Sequence, residues 1–594
     1  MNSVAKIGVI CSNSKTSATL ANETDMSRKR KTYLTIIGGG LLLFVGMLAW
    51  SIFGPSRAIV VSQETTFFVE PLTSDGRVDY ARHLRELRNE GVTPQNNAAV
   101  PIVLATWPGK LELDQQRRLC ESLGIDNVPT AGLTEIQDSP RHQQWITEWA
   151  SAQWQVDLED AATYDFNPDF YVSDATYYPW RREQIPPLAQ WVDDQQPYLD
   201  RLHDLEGREY FYWPSKSQLQ AKDFPLYEED SDWPLRLRAA IRGLCLRVNM
   251  HIGEGDAASA WSDLKACWLI CRIGPRAPSE LDLTLRFALE AVVTIRTHYL
   301  LSSDHCDEAL LTEIADFLQQ LPPPTSAVDA ADNSSRFASL EGAAYHPAQA
   351  IAGLEGQLEG WQKRLTHLPY DRNSTLQRIN QSYDDVVAVL KIQDYQQFAA
   401  ATSFWEEDAH VRFSSWSDKQ ALLAATLSQS ARGVFIADMT YAGWANQGVK
   451  WKEKENRCRQ EFRLLQVAVA IVQYKTIHGA YPAALDDLAD VIEPELTQDL
   501  YYSGQPLVYQ RRDLGFLLYS VYLGSTDNGG DSLTLDVIDG EWVAGNETGP
   551  FIEENLDLVV RYPMPNGLKL EKPLTKQELN HLFMPPAIEM PTAN

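Results

Sequence analysis

The stretch YLTIIGGGLLLFVGMLAWSIF, Tyr33–Phe53, runs for 21 residues without a charge. At about 1.5 Å of rise per residue, a helix of that length reaches about 31 Å, close to the thickness of a bilayer core. It reads as one transmembrane helix, dividing a short tail (1–32) from a large body (54–594). Arg28, Lys29, Arg30 and Lys31 precede it and only Arg57 follows closely. The positive-inside rule therefore predicts a cell inner membrane protein with a cytoplasmic N-terminus and residues 54–594 extracytoplasmic. A cleaved signal peptide is the alternative, because Ser56-Arg57-Ala58 has the small-x-small form. The apolar run is longer than the ~7–15 residues usual for a signal core, which favours the anchor. The tail is Ser/Thr/Asn-rich and reads as disordered; Met26, just ahead of the basic run, is an alternative start.

The composition, 44% hydrophobic and 22% charged over 594 residues, is that of a globular chain with material for several cores. With 52 basic and 80 acidic side chains the net charge is −28, which argues against nucleic acid as a partner. The cysteines, Cys11, Cys120, Cys245, Cys267, Cys271, Cys306 and Cys458, form no CxxC, so zinc-ribbon and thioredoxin spacings are missing. Cys267 and Cys271 share a helix face as small core residues, although an oxidising compartment would permit a disulfide from Cys245 or Cys306.

Residues 54–225 form a mixed aromatic and Pro-rich region. Ala58–Leu72 predicts one or two short strands, Tyr80 to Gly91 a helix stopped by its glycine, and Asn96–Trp107 a buried helix with Pro101 in its first turns. Tyr177, Tyr178, Trp180, Tyr210, Tyr212 and Trp213 crowd the end of this region. Such rings either stack on carbohydrate or hold irregular segments against a helical body.

Residues 226–450 are helical in pattern. Apolar spacing predicts four successive helices between Asp232 and Leu321, with Asp256 as an N-cap and Pro322-Pro323-Pro324 as the stop. Short turns make these antiparallel hairpins of the TPR-like kind, though no 34-residue self-repeat is present. His251, His298, His346, His367 and His410 are scattered, with no HExxH. Asp384-Asp385 and Glu406-Glu407-Asp408 read as solvated helix faces.

Residues 451–594 predict an α+β module. A long amphipathic helix from Glu453 ends at Gly479, Tyr481-Pro482 breaks the chain, and LVYQRRDLGFLLYSVYL gives two strands about Asp513-Leu514-Gly515. The polar loop GSTDNGGD, Gly524–Asp531, follows, and LTLDV and EWVAG add edge strands. The fold class is thus mainly α (α+β): one transmembrane helix, a helical-hairpin body, and a small C-terminal helix plus antiparallel sheet.

This last segment, about 80 residues with GAYP, DLYYSGQPLVY and GFLLYSVYLGSTDNGGD, resembles the periplasmic part of the major pseudopilins of type II secretion. Asp499, Gly504, Pro506, Tyr509, Tyr519, Ser520, Gly524, Asp527, Gly529 and Gly530 fall on the family pattern, while Leu500 stands where a proline is usual. The resemblance implies a calcium site at Asp527, Asn528 and Asp531. Hard oxygen ligands on a turn suit Ca²⁺, and the same residue types also supply hairpin geometry alone. The prepilin cleavage site is missing and the membrane helix lies far from the module, so filament assembly is not implied. Over its whole length the chain resembles a group of planctomycete-type single-pass membrane proteins with the same C-terminal module.

No catalytic motif emerges. The expected function is a membrane-anchored extracytoplasmic interaction or scaffold protein, held in the lipid bilayer by residues 33–53 and binding a protein partner. The alternatives are a hydrolase acting on envelope polysaccharide and a calcium-dependent accessory of a secretion system.

Overall fold

The structure, a computed structural model, describes residues 14–107, 111–160, 163, 164, 166–229, 233–351, 360–502, 504–521, 527, 529, 536–538, 541–543, 557–564 and 567–578. The first helix, α1 (Ser14–Phe53), is longer than the apolar span. Residues 14–32, expected to be disordered, are helical, consistent with LANETDMSRKRK, which lacks Pro and Gly and is rich in helix formers. Residues Tyr33–Phe53 are long and apolar enough to cross a membrane. Leu42 and Met47 on this span are 74% and 72% exposed, so among the described residues the middle of the span is left uncovered, while Ser51 near its end is buried.

The body contains the helices α2 (Tyr80–Asn89), α3 (Ala99–Ala105), α4 (Leu113–Leu123), α5 (Pro140–Trp154), α6 (Asp169–Tyr177) and α7 (Pro186–Leu199). Then follow α8 (Trp233–Glu254), α9 (Ala257–Arg272), α10 (Glu280–Ser302), α11 (Glu308–Gln320) and α12 (Arg336–Tyr345). The last are α13 (Arg372–Leu390), α14 (Tyr395–Ser415), α15 (Lys419–Leu427) and α16 (Gln429–His478). Their starts are marked by side chains that accept orphan amide protons: Asp256 from the Ser259 amide at 3.1 Å and Asp307 from the Leu310 amide at 2.8 Å. Helix α8 packs on both α9 and α10, so three consecutive helices share one core rather than forming isolated pairs.

Two expectations are corrected. Ala58–Leu72 forms no strand: Gln63–Thr66 is a helical turn capped by Ser62, and asparagines of α13 take backbone groups on and before it. Asn373 accepts from the Val60 amide at 2.8 Å and donates to the Ala58 carbonyl at 2.9 Å, and Asn380 donates to the carbonyls of Glu64 and Thr65. The long helix expected from Glu453 begins earlier, at Gln429, and α16 runs unbroken for 50 residues to Gly479, which caps it with φ +76°. No proline interrupts that stretch, and packing on α13, α14 and α15 before it reaches α10 and α11 outweighs its internal glycines.

Beyond α16, β1 (Val508–Arg511) pairs antiparallel with β2 (Phe516–Ser520), as the sequence pattern predicts. The segments β3 (Asp536–Ile538) and β4 (Glu541–Val543) form their own hairpin. The third member of the main sheet is β5 (Leu558–Tyr562), antiparallel to β2. The sheet lies on the C-terminal half of α16, with Phe516, Leu518 and Val560 in the same core as Leu464, Leu465 and Ile471. After β5 the chain returns over the N-terminal half of the body. The Leu568 amide donates to the Pro179 carbonyl at 2.8 Å, and Tyr171 donates to the Glu571 carbonyl at 3.0 Å.

The apolar span is held to this body through Arg432, near the start of α16 and 0% exposed. Its guanidinium donates to the carbonyls of Pro369, Ala425 and Thr426, each at 2.8 Å, and to the Ser51 carbonyl and hydroxyl. The Arg432→Ala variant strands these carbonyls and should cost about 3 kcal/mol or more. Hydrogen exchange should accelerate selectively in residues 51–58 and 425–432, with no rescue by Arg432→Lys, whose ammonium lacks the planar fork. Unchanged exchange in both segments would refute this role.

Candidate functional site

The residues singled out by sequence separate in space. Of the loop implied to bind calcium, Asp527 is described; Asn528 and Asp531 lie outside the described residues. The Asp527 carboxylate accepts from Tyr519 Oη at 3.0 Å and from the Gly529 amide at 2.8 Å, so one oxygen closes its own turn. Burial, then the neighbouring Asp527 carboxylate, pushes the Tyr519 hydroxyl up to about 12. Among the described residues no group of three or more metal-ligating side chains converges.

The aromatic run forms no open platform. Trp180 is 0% exposed, with Nε1 donating to the Leu246 carbonyl at 3.1 Å, and Tyr212 and Trp213 are buried in the main core. Only Tyr177 of that set is half exposed, lying under the Arg296 guanidinium. Cys120, Cys245, Cys267, Cys271, Cys306 and Cys458 are free thiols, and all but Cys306 are buried. His298 is buried on α10, where its Nδ1 meets Tyr562 Oη at 2.9 Å and ties β5 to the helices. Burial pushes this imidazole down to about 3, which keeps it neutral.

A cleft that sequence reading missed opens where α7, α8 and α9 meet, with a volume of about 250 Å³. Its wall includes Arg182, Asp193, Asp200, His203, Arg247 and Asp263. Asp200 and His203 sit on a 3₁₀ turn, Asp200–Leu205, that continues directly from α7. Arg247 and His251 lie four apart on α8, and Ser259 and Asp263 four apart on α9, so each pair shares a face. Gly255, at φ +80°, turns α8 back into α9 and brings the two faces together.

Asp263 is the centre of this site. Its side chain is 2% exposed, and it accepts from His203 Nε2 at 2.8 Å and from Arg247 at 2.6 and 2.7 Å. Burial alone would raise the Asp263 carboxyl, but the His203 and Arg247 bonds outweigh it and hold the group below its ordinary range. An ionised carboxylate only accepts, so Nε2 of His203 carries a proton, and in the neutral imidazole Nδ1 is the acceptor. Arg247 also reaches Asp200 at 2.6 Å, and Arg182 binds Asp193 through two bonds of 2.7 and 2.9 Å. On His251, burial lowers the imidazole's proton affinity.

No family model matches the chain, and comparison with curated proteins and with solved structures likewise returns no match.

Removing the central carboxylate should be costly, because it leaves Arg247 buried without its main partner. Asp263→Asn is expected to lose about 3–5 kcal/mol, whereas Asp200→Asn, at a half-exposed position, should lose about 1 kcal/mol or less. Because Asp263 titrates lower when folded than when unfolded, its contribution is full above the unfolded value of about 4 and is lost as pH falls through the folded value. Thermal denaturation between pH 7 and pH 2 should therefore show a steeper acid decline in the parent than in Asp263→Asn. Equal slopes would contradict the assignment.

Proposed function

We propose that this chain is a membrane-anchored extracytoplasmic scaffold, fixed in the bilayer by Tyr33–Phe53 and displaying a helical body with a small sheet for a protein partner. The observation that carries the reading is the path of α16. Near its first turn Arg432 grips the end of the apolar span, and after 50 residues, about 75 Å of helix, it carries the sheet. A single rigid element thus separates the anchored end from the displayed end. The helices α8 to α11, read as TPR-like hairpins, provide the extended surface between them. Leu514, 85% exposed at the β1–β2 turn, marks the displayed end as a contact point.

The orientation follows from Arg28–Lys31 on the cytoplasmic side of the span. The polysaccharide hydrolase reading gains no support from the aromatic run, whose large rings are committed to packing. In the cleft Asp193 and Asp263 are paired with Arg182, Arg247 and His203, and Asp200 gives one of its two oxygens to Arg247.

Membrane fractionation tests the anchor. The chain should stay with membranes after alkaline carbonate washing, and protease added to intact spheroplasts should digest the body beyond residue 54. Release of full-length chain by carbonate, or protection of the body until lysis, would overturn the reading. A partner should cross-link through a photoreactive residue at position 514 and not through one at the exposed Leu113.

A further inference from the structure

We propose that the cleft between α7, α8 and α9 binds a small ligand bearing a primary ammonium group. The argument is an inventory of its hydrogen-bonding capacity. Every guanidinium nitrogen of Arg247 is already engaged: Nε and one terminal nitrogen on Asp263, the other on Asp200. Arg182 spends its two terminal nitrogens on Asp193. Three of the five N–H groups of Arg247 and two of the five of Arg182 are thus spent on carboxylates, and each guanidinium charge is paired with a carboxylate inside the wall.

Acceptor capacity is also left over. Asp200 gives one oxygen to Arg247, and its side chain is 48% exposed, leaving the second oxygen as an open acceptor. His203 donates from Nε2 to Asp263, and Nδ1 has no partner among the described residues. The two residues are three apart on a 3₁₀ turn, in which side chains at i and i+3 eclipse, so the two side chains lie on the same side of the turn, and both line the cleft. Three aspartates against two arginines leave the wall with a net negative charge.

An ammonium group has three N–H donors for this pair and a positive charge that complements the wall, so its bonds there are charge-assisted where those of a neutral hydroxyl or amide from the ligand carry only the carboxylate's charge. Ser259 and Ser262 supply hydroxyls from α9, and Val192 and Met250 supply an apolar wall for the ligand's carbons. A divalent cation is a poorer fit. Ca²⁺ requires about 6–8 oxygens, and the cleft has one uncommitted carboxylate oxygen beside one imidazole nitrogen. The volume of about 250 Å³ admits a molecule the size of an amino sugar or short diamine.

Isothermal calorimetry on the full chain in an uncharged detergent tests the proposal, with glucosamine and 1,4-diaminobutane as amine probes. N-acetylglucosamine serves as the uncharged counterpart and inorganic phosphate as the anion. At least one amine should bind saturably, N-acetylglucosamine and phosphate should not, and affinity should fall about tenfold or more in Asp200→Asn and in His203→Leu. Both variants lie at partly exposed side chains, and circular dichroism would establish that they fold before binding is measured. The proposal is overturned if neither amine binds the folded parent, if both variants bind as the parent does, or if phosphate binds in place of the amines.

Discussion

The contact on which the arrangement depends is the buried guanidinium of Arg432. Helices end with carbonyls that have no intrahelical partner, and here such ends converge on one point: α1 through Ser51 and α15 through Ala425 and Thr426. Arg432 itself is buried, and a single planar cation with several donors does there what separate caps would otherwise do. Burial lowers its proton affinity, yet an arginine stays charged, and that charge is favourable at the negative ends of two helices. The site also explains why the apolar span leaves the body at a fixed place rather than on a flexible tether. Immediately after it Ser56 accepts from the Tyr370 amide just before α13, and Ala58, Val60 and Glu64 are fastened in succession along α13.

From that point α16 carries the organisation forward. Its first half contributes Phe435, Ile436, Met439 and Val449 to one core, and its second half contributes Leu464 to Val472 to another. Near the junction the packing is deliberately polar. Arg272 of α9 binds Glu290 of α10 at 2.6 Å with both side chains almost wholly buried, and its guanidinium lies over the Phe462 ring of α16 at 4.3 Å. Burial raises the Glu290 carboxyl to about 7, showing that the pair offsets only part of its desolvation. Such a contact contributes less to net stability than an apolar substitute could. What it supplies is a requirement on register: α9, α10 and α16 must align for the charges to meet.

Much of this was legible because the signals are local. Asp256, Ser279 and Asp307 mark helix starts, Gly479 marks the end of α16, and Asp513-Leu514-Gly515 marks the β1–β2 turn. The parts that escaped depend on partners distant in sequence. Residues 58–72 contain the β-branched run that usually indicates a strand, but its backbone groups meet side chains of α13 more than 300 residues away. The strand β5 is recognisable only through β2. The cleft joins residues 182, 203, 247 and 263, and none of these pairs forms a motif. One clue was available: Asp263 sits among Ala260, Leu264 and Cys267, a carboxylate on an otherwise apolar face. A charge in such a place needs a buried partner.

The C-terminal segment shows how far a local resemblance can be carried. Its pattern departs at Leu500, where a proline would be usual, and the structure gives that departure a use. The Leu500 amide donates to Gln460 Oε1 at 2.9 Å, a bond proline could not make, and Gln460 lies on α16. Arg463, one turn further along, donates to the Gln498 carbonyl at 2.7 Å. The turn is thereby fixed to the helix by side chains rather than by ring geometry. At the other edge, β5 is committed to the body through Tyr562 and His298, and the chain beyond it is pinned at Pro179. A module built to exchange neighbours in a filament must keep its helix and sheet edges free. Here, among the described residues, the helix is packed against other helices and the β5 edge of the sheet is tied back to the body.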